Sequence, residues 1–77
     1  MKTTPKQKQL SELINNNMQF YAAKMQQLNR YSDSFNAEVY AHNITELVNR
    51  LNETVAYAKE LEEVSYRVAE KEAGQYA

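Results

Sequence analysis

The feature that most constrains this chain is an apolar repeat that runs through its second half without a skip. Written in heptads, the a and d positions hold apolar or small residues: Ala37, Tyr40, Ile44, Leu47, Leu51, Thr54, Ala58, Leu61, Ser65 and Val68. A period of 3.5 residues held this long is typical of a helix that packs lengthwise on other helices. Val48 and Val55 widen the apolar face at e positions, and Tyr57 and Val64 widen it at g positions. Because the face is broad and changes sides, we expect this helix to contact more than one other helix.

A shorter apolar pattern comes before this repeat. Its members are spaced three and four residues apart, as on one face of an α-helix, at Leu10, Leu13, Ile14, Met18, Tyr21, Met25 and Leu28. Thr4 and Pro5 fit the start of this helix, with threonine as N-cap and proline at the first helical position. Gln7, three residues after Thr4, can complete a capping box. We therefore predict a helix over about residues 5–30.

Short polar side chains at Ser32, Asp33 and Ser34 interrupt the apolar pattern between the two helices. They can cap the second helix, and Asn29 can take the left-handed conformation that ends the first. A connection of so few residues makes the two helices antiparallel neighbours.

The predicted fold is all-α and forms one domain over residues 1–77. We expect an antiparallel helical hairpin, with a short helix over about 5–30 and a long helix over about 34–73, which assembles into an oligomeric helical bundle. Gly74 is expected to end the long helix. Residues 1–4 and 75–77 are expected to fray.

The two predicted helices differ in length, and this difference bears on assembly. The apolar positions of the short helix span about 27 Å and those of the long helix about 50 Å, at 1.5 Å per residue. The folded-back short helix is therefore expected to cover the long helix only to about Val55. Leaving the large apolar side chains beyond that point exposed would forgo about 1.5 to 3 kcal/mol each. We therefore predict a homo-oligomer whose interface contains Leu51, Tyr57, Leu61, Val64 and Val68.

The small size of the chain and its lack of cysteine also favour self-association. A chain of 77 residues buries only about 60% of the surface that its unfolded form exposes. Without cysteine there is no disulfide or thiolate metal centre to add stability. Oligomerisation is the usual source of stability that is left.

Residues that carry chemistry are sparse. His42 is the only histidine, and it lies four residues from both Glu38 and Glu46 on one helical stripe. We interpret this row as a surface imidazole held by salt bridges, because the ligand pattern of di-iron bundles is missing. With no cysteine and no glycine-rich phosphate loop, the sequence offers no nucleophile beside a base. We therefore expect a protein that is not an enzyme and that holds no cofactor or metal.

Charge is distributed unevenly along the chain. Residues 1–31 carry five basic and one acidic residue (net +4), and residues 32–77 carry four basic and nine acidic ones (net −5). These opposite charges favour packing of the short helix on the long one. The basic residues could instead follow a phosphate backbone, with Lys6, Lys8, Lys24 and Arg30 as the candidate nucleic-acid contacts. RNA or nucleotide binding by a helical oligomer, with tyrosines at subunit junctions, is therefore an alternative hypothesis.

Tyrosine and the side-chain amides are abundant for a helical protein, with 6 Tyr and 14 Asn plus Gln. Tyr31 and Tyr66 fall outside the apolar stripes, and exposed tyrosines are frequent anchors in protein interfaces. Binding of another protein, as an inhibitor or adaptor, is therefore the first hypothesis. The composition is also typical of AT-rich genomes, which favours a phage or mobile-element origin. With no signal peptide or membrane span, the expected location is the cytoplasm.

Overall fold

The computed structural model describes the backbone of residues 2–76 and the side chains of residues 2–74. Helix α1 spans Pro5–Arg30 and helix α2 spans Ala37–Tyr76, with a 3-10 turn at Ser32–Ser34 between them. The two helices pack against each other, and the described residues include no strand. The prediction of an all-helical hairpin is therefore confirmed.

The hairpin is a rod 61 Å long and 16 by 14 Å across. Neither of its two described helices carries an apolar stretch long enough to cross a membrane. The fraying expected at residues 1–4 and 75–77 concerns motion and stays a prediction. Met1, Ala77 and the side chains of residues 75 and 76 lie outside the described residues.

Helix α1 begins with the predicted capping box. The amide of Gln7 donates to the hydroxyl of Thr4 at 3.2 Å, and the amide of Thr4 donates to the side-chain oxygen of Gln7 at 2.9 Å. Pro5 occupies the first helical position, where no intrahelical N–H bond is lost. Two backbone donors at the helix start are thereby bonded within four residues, so the local sequence fixes where α1 begins.

Helix α1 ends in a different way from the one expected. The residue after Arg30, Tyr31, has φ −116° and ψ 24°, and no described residue takes the left-handed conformation that was expected of Asn29. The amide of Ser34 donates to the carbonyl of Tyr31 at 2.9 Å. The 3-10 turn thus satisfies the end of α1 with its own backbone, and no left-handed residue is needed.

Helix α2 is displaced towards the carboxyl terminus relative to the predicted range. Its cap is Asn36, whose side-chain oxygen accepts a hydrogen bond from the amide of Val39 at 2.8 Å. The helix therefore begins at Ala37, after the serines that were expected to cap it. At the other end α2 continues through Gly74 instead of ending there. A glycine inside a helix costs only about 1 kcal/mol relative to alanine, so the helical hydrogen bonds continue past it.

The register of the hairpin places more of α2 beside α1 than the lengths of the two apolar patterns predict. The ammonium of Lys24 lies 3.6 Å from the carboxylate of Glu46, and the amide of Asn17 donates to Glu53 at 3.1 Å. In both pairs the two residue numbers add up to 70. Residue n of α1 therefore lies level with residue 70 − n of α2. The side chain of Gln7 likewise reaches Ser65, at 3.1 Å.

Helix α1 therefore covers α2 for ten residues beyond Val55, as far as Ser65. The reason is that the first turn of α2 projects past the end of α1, so that Arg30 lies level with residue 40. The predicted interface residues Tyr57, Leu61 and Val64 lie within the covered part, and Val68 lies just beyond it; all four are half-buried within one chain. Leu51, the fifth, is exposed. Their role in an oligomer interface stays a prediction.

The core of the hairpin is small and lies on one edge of the heptad pattern. Its fully buried apolar side chains are Leu10, Leu28 and Leu47, and the amides of Gln7 and Asn17 are buried with them. Between residues 43 and 64 of α2, the d and g positions are buried or half-buried, whereas the e positions are exposed. Helix α1 thus occupies one edge of the apolar face and leaves the other edge open.

Candidate interaction surfaces

One side of the hairpin, which we call the charged side, is lined by polar contacts between the helices. Three glutamates spaced seven residues apart run along α2 on this side: Glu46, Glu53 and Glu60. Lys24 and Asn17 meet the first two, and the ammonium of Lys6 lies 3.1 Å from the carboxylate of Glu60. Ion pairs this exposed contribute at most about 1 kcal/mol each, so they set the alignment of the helices more than their stability. The spacing of this glutamate row is visible in the sequence, but its partners on α1 depend on the register of the helices.

Asn17 is the buried centre of the charged side. Besides donating to Glu53, it accepts a hydrogen bond from the guanidinium of Arg50 at 3.1 Å. The guanidinium carbon also lies 4.4 Å from the centre of the Phe20 ring, which is a cation–π distance. Arg50 is therefore held by α1 and is not available to an outside partner.

Gln7 connects the start of α1 to the far part of α2. Its side-chain oxygen accepts from the amide of Thr4, and its side-chain nitrogen donates to the hydroxyl of Ser65. A buried amide that lacks partners destabilises a fold, and here both of its polar ends are bonded. The same side chain is thus a helix cap and a contact between helices.

Replacing Gln7 with alanine is expected to lower the free energy of unfolding by about 2 kcal/mol, because it removes the return bond of the capping box and the bond to Ser65. The measurement is urea unfolding followed by circular dichroism. Gln9→Ala is the matched control, since Gln9 is an exposed glutamine two residues further along the same helix. Equal stability of the two variants would show that Gln7 does not anchor the hairpin.

The four candidate nucleic-acid residues do not form one strip. Lys6 and Lys24 lie on the charged side and pair with glutamates of α2. Lys8 lies about 200° around α1 from Lys6, and Arg30 lies at the end of α1 beside Tyr31. Two of the four positive charges are thus offset by nearby carboxylates, which weakens their attraction for phosphate.

The two candidate protein-contact tyrosines are both exposed, Tyr31 by 49% and Tyr66 by 67%. Each lines a shallow depression: Tyr31 one of about 190 Å³ at the end of α1, and Tyr66 one of about 320 Å³ on α2. The second is also lined by Glu62, Ser65 and Ala69. Tyr31 lies level with residue 39, so about 40 Å of rod separates the two rings. One chain therefore does not bring them into a single contact site.

The row of His42, Glu38 and Glu46 is divided in the structure. The imidazole of His42 lies 3.9 Å from the carboxylate of Glu38, and both side chains are largely exposed. Glu46 turns towards Lys24 instead. Within the described part of the chain, no group of three or more histidine, aspartate and glutamate side chains is placed to hold a metal ion.

The side of the hairpin opposite the ion pairs is apolar. On α2 it consists of a and e positions, which we call the open stripe: Ala37, Ala41, Ile44, Val48, Leu51, Val55 and Ala58. Val48 and Val55 expose 47% and 50% of their surface. In the sequence both valines only widen one apolar face, because the register of the helices decides which edge of that face α1 leaves open.

Helix α1 adds Met18 to this apolar side. Met18 is exposed, lies level with residue 52 of α2, and is about 120° around α1 from Lys24 on the charged side. The hairpin therefore has one charged and one apolar side, and the exposed Tyr31 and Tyr66 lie near opposite ends.

Comparison with protein-family models, with curated proteins and with solved structures finds no match to this chain.

Proposed function

We propose that this chain is a non-catalytic interaction protein that self-associates and binds another protein through Tyr66, as an inhibitor or adaptor. The observation that carries this proposal is the setting of Tyr66. Two thirds of its surface is exposed beside a depression of about 320 Å³ that includes the small residues Ser65 and Ala69. A rigid aromatic ring next to a hollow that accepts a partner's side chain is a frequent centre of protein interfaces.

The shape of the hairpin supports binding as its mode of action. A rod 16 by 14 Å across keeps its side chains close to solvent. Acid–base and nucleophilic catalysis gain most in enclosed sites that exclude water. The one imidazole, His42, is instead largely exposed and pairs with a carboxylate at 3.9 Å. A surface of this kind suits contact with another macromolecule.

Self-association is supported by the size of the core. Among the described residues only Leu10, Leu28 and Leu47 are fully buried apolar side chains, and a domain below about 70–80 residues with a small core usually needs added stability from oligomerisation or cross-links. The abundance of asparagine, glutamine and tyrosine fits an accessory protein of a phage or mobile element, which would act by occluding or bridging its target.

The experiment that tests the proposal is affinity capture in extracts of the native host. Three baits are compared at equal oligomeric state: the natural protein, Tyr66→Phe and Tyr66→Ala. We expect a discrete protein to be retained by the first two and lost with Tyr66→Ala, with no effect of nuclease digestion. Retention of the same protein by Tyr66→Ala would overturn the role of this tyrosine.

One observation favours the alternative, binding of RNA or a nucleotide. Arg30 and Tyr31 line the same depression at the end of α1, and a cation beside an aromatic ring is a common platform for unpaired bases. In that case the captured species is sensitive to nuclease and is lost as salt rises. It would also be lost with Arg30→Ala and Lys8→Ala, while Tyr66→Ala would have no effect.

A further inference from the structure

The apolar side offers a long surface that is free of charge. The open stripe runs from Ala37 to Ala58 over about 32 Å of helix, at 1.5 Å per residue. No charged residue occupies its seven positions, and exposed Met18 of α1 lies beside its middle. Continuous apolar surface of this length is uncommon on a protein that works alone.

The hairpin exposes more surface than a compact monomer of its mass. The hairpin exposes 6134 Å², whereas a compact monomer of its mass exposes about 4,900 Å². The excess is about 1,200 Å², and an interface of standard size removes about 800 Å² from each partner. One partner of standard size would therefore cover about two thirds of this excess.

The residues of the open stripe can pair with the same residues of a second copy that runs in the opposite direction. The midpoint of the stripe lies within half a residue of Val48, so an antiparallel copy places Ala37 opposite Ala58 and Ala41 opposite Val55. The same operation places Ile44 opposite Leu51, and Val48 opposite its own counterpart. Every pair is apolar, small residues meet at the ends and large ones in the middle, as a two-fold axis requires of a self-complementary patch.

The electrostatics of the chain agree with an antiparallel copy. The dipoles of the two α2 helices oppose each other in that arrangement, whereas a parallel arrangement would align them. The ion pairs between the two helices lie on the charged side, away from the contact. The formal net charge is −1 per chain, so two copies repel each other weakly.

We propose that a second copy of this chain docks antiparallel on the open stripe, with Val48 on the two-fold axis, to form a four-helix bundle. This interface rests on the self-association in the proposed function, and it gives that self-association a surface. It also changes the geometry of the exposed tyrosines. Tyr31 of one copy comes to within about 15 Å, along the bundle, of Tyr66 of the other, compared with about 40 Å within a chain.

The test compares Val48→Glu with Val39→Glu by sedimentation equilibrium and circular dichroism. Val39 is the matched control, because it is an exposed valine of α2 (41%) that lies off the stripe. Each Val48→Glu dimer would bury two carboxylates at its centre, so we expect its dissociation constant to rise at least about 100-fold. The molar mass measured for the natural protein and for Val39→Glu should be twice the 9.0 kDa of one chain. Val48→Glu should have the mass of one chain and should still be helical.

Each other result identifies which proposal fails. A natural protein that is a monomer throughout the micromolar range overturns the dimer and the self-association in the proposed function together. A Val48→Glu protein that stays dimeric overturns the stripe as the interface and leaves self-association standing.

A cysteine variant covers the case in which Val48→Glu does not fold. The chain has no native cysteine, so Val48→Cys adds the only thiol, and its counterpart across the axis is close enough for a disulfide. In a glutathione redox buffer we expect Val48→Cys to form a covalent dimer and Val39→Cys to form no disulfide between its two chains. Absence of the Val48→Cys dimer, or equal cross-linking of both variants, overturns the proposed axis.

Discussion

Replacing Leu47 with aspartate is expected to unfold the hairpin. Leu47 is the one apolar side chain of α2 that is fully buried against α1. A carboxylate there would have no cationic partner, and burying such a charge costs several kcal/mol. Ordinary domains have only about 5–15 kcal/mol of stability in total, and this hairpin has three fully buried apolar residues to supply it. The helical signal in circular dichroism at neutral pH should be largely lost.

The control for this prediction is Val39→Asp. It introduces the same charge on the same helix at an exposed site near the end of the hairpin. An acidic residue in the first turn of a helix is favourable, so the helical signal should be retained. If Leu47→Asp kept its helicity as well as Val39→Asp does, the packing of α1 on α2 would be wrong.

Replacing Leu10 with alanine is expected to lower the free energy of unfolding by about 2–5 kcal/mol, because its side chain is fully buried. Leu10 lies level with residue 60, next to Leu61. We therefore expect Leu10→Ala and Leu61→Ala to be coupled, with the double variant differing from the sum of the single ones by about 0.5–3 kcal/mol. Urea unfolding at one fixed protein concentration measures all four proteins of the cycle.

The second cycle pairs Leu10→Ala with Val55→Ala. The helix lengths alone predict that these two residues lie close together, whereas the observed register separates them by about 8 Å along the rod. Their effects should therefore add. If Leu10 were coupled to Val55 and not to Leu61, the register of the hairpin would be shifted by about one heptad.

The helices themselves were predictable from short-range patterns. The heptad repeat around Leu47 and the three-and-four spacing around Leu10 each indicate a helix. Thr4, Pro5 and Gln7 fix the start of α1 within four residues. Such features depend on neighbours in the sequence, so no knowledge of the tertiary structure is needed to find them.

The register was not predictable in the same way, because it depends on the geometry of the connection. Both Ser34 and Asn36 are good caps, and the choice of Asn36 shifts the start of α2. That shift, with the projection of the first turn of α2 beyond α1, decides which residues are covered. Leu61 was therefore expected to lack cover within the chain, and it is half-buried beside α1.

The polar contacts across the hairpin were missed because their partners are far apart in sequence. Gln7 was identified as a cap, but its bond to Ser65 spans 58 residues. Asn17 is the last of three consecutive asparagines, and its position seven residues after Leu10 is the signal that could have identified it. Both residues lie where a pattern of apolar spacing alone expects a hydrophobic side chain.

The distances in sequence that these contacts span also determine the order in which the hairpin can close. Lys24 and Glu46 lie 22 residues apart on either side of the connection, whereas Gln7 and Ser65 lie 58 apart. Bringing the second pair together directly costs about 0.9 kcal/mol more loop entropy than the first. Closing the hairpin first at the connection shortens the loop left for every later contact. We therefore expect the hairpin to close from the turn towards its termini, with the bond between Gln7 and Ser65 among the last to form.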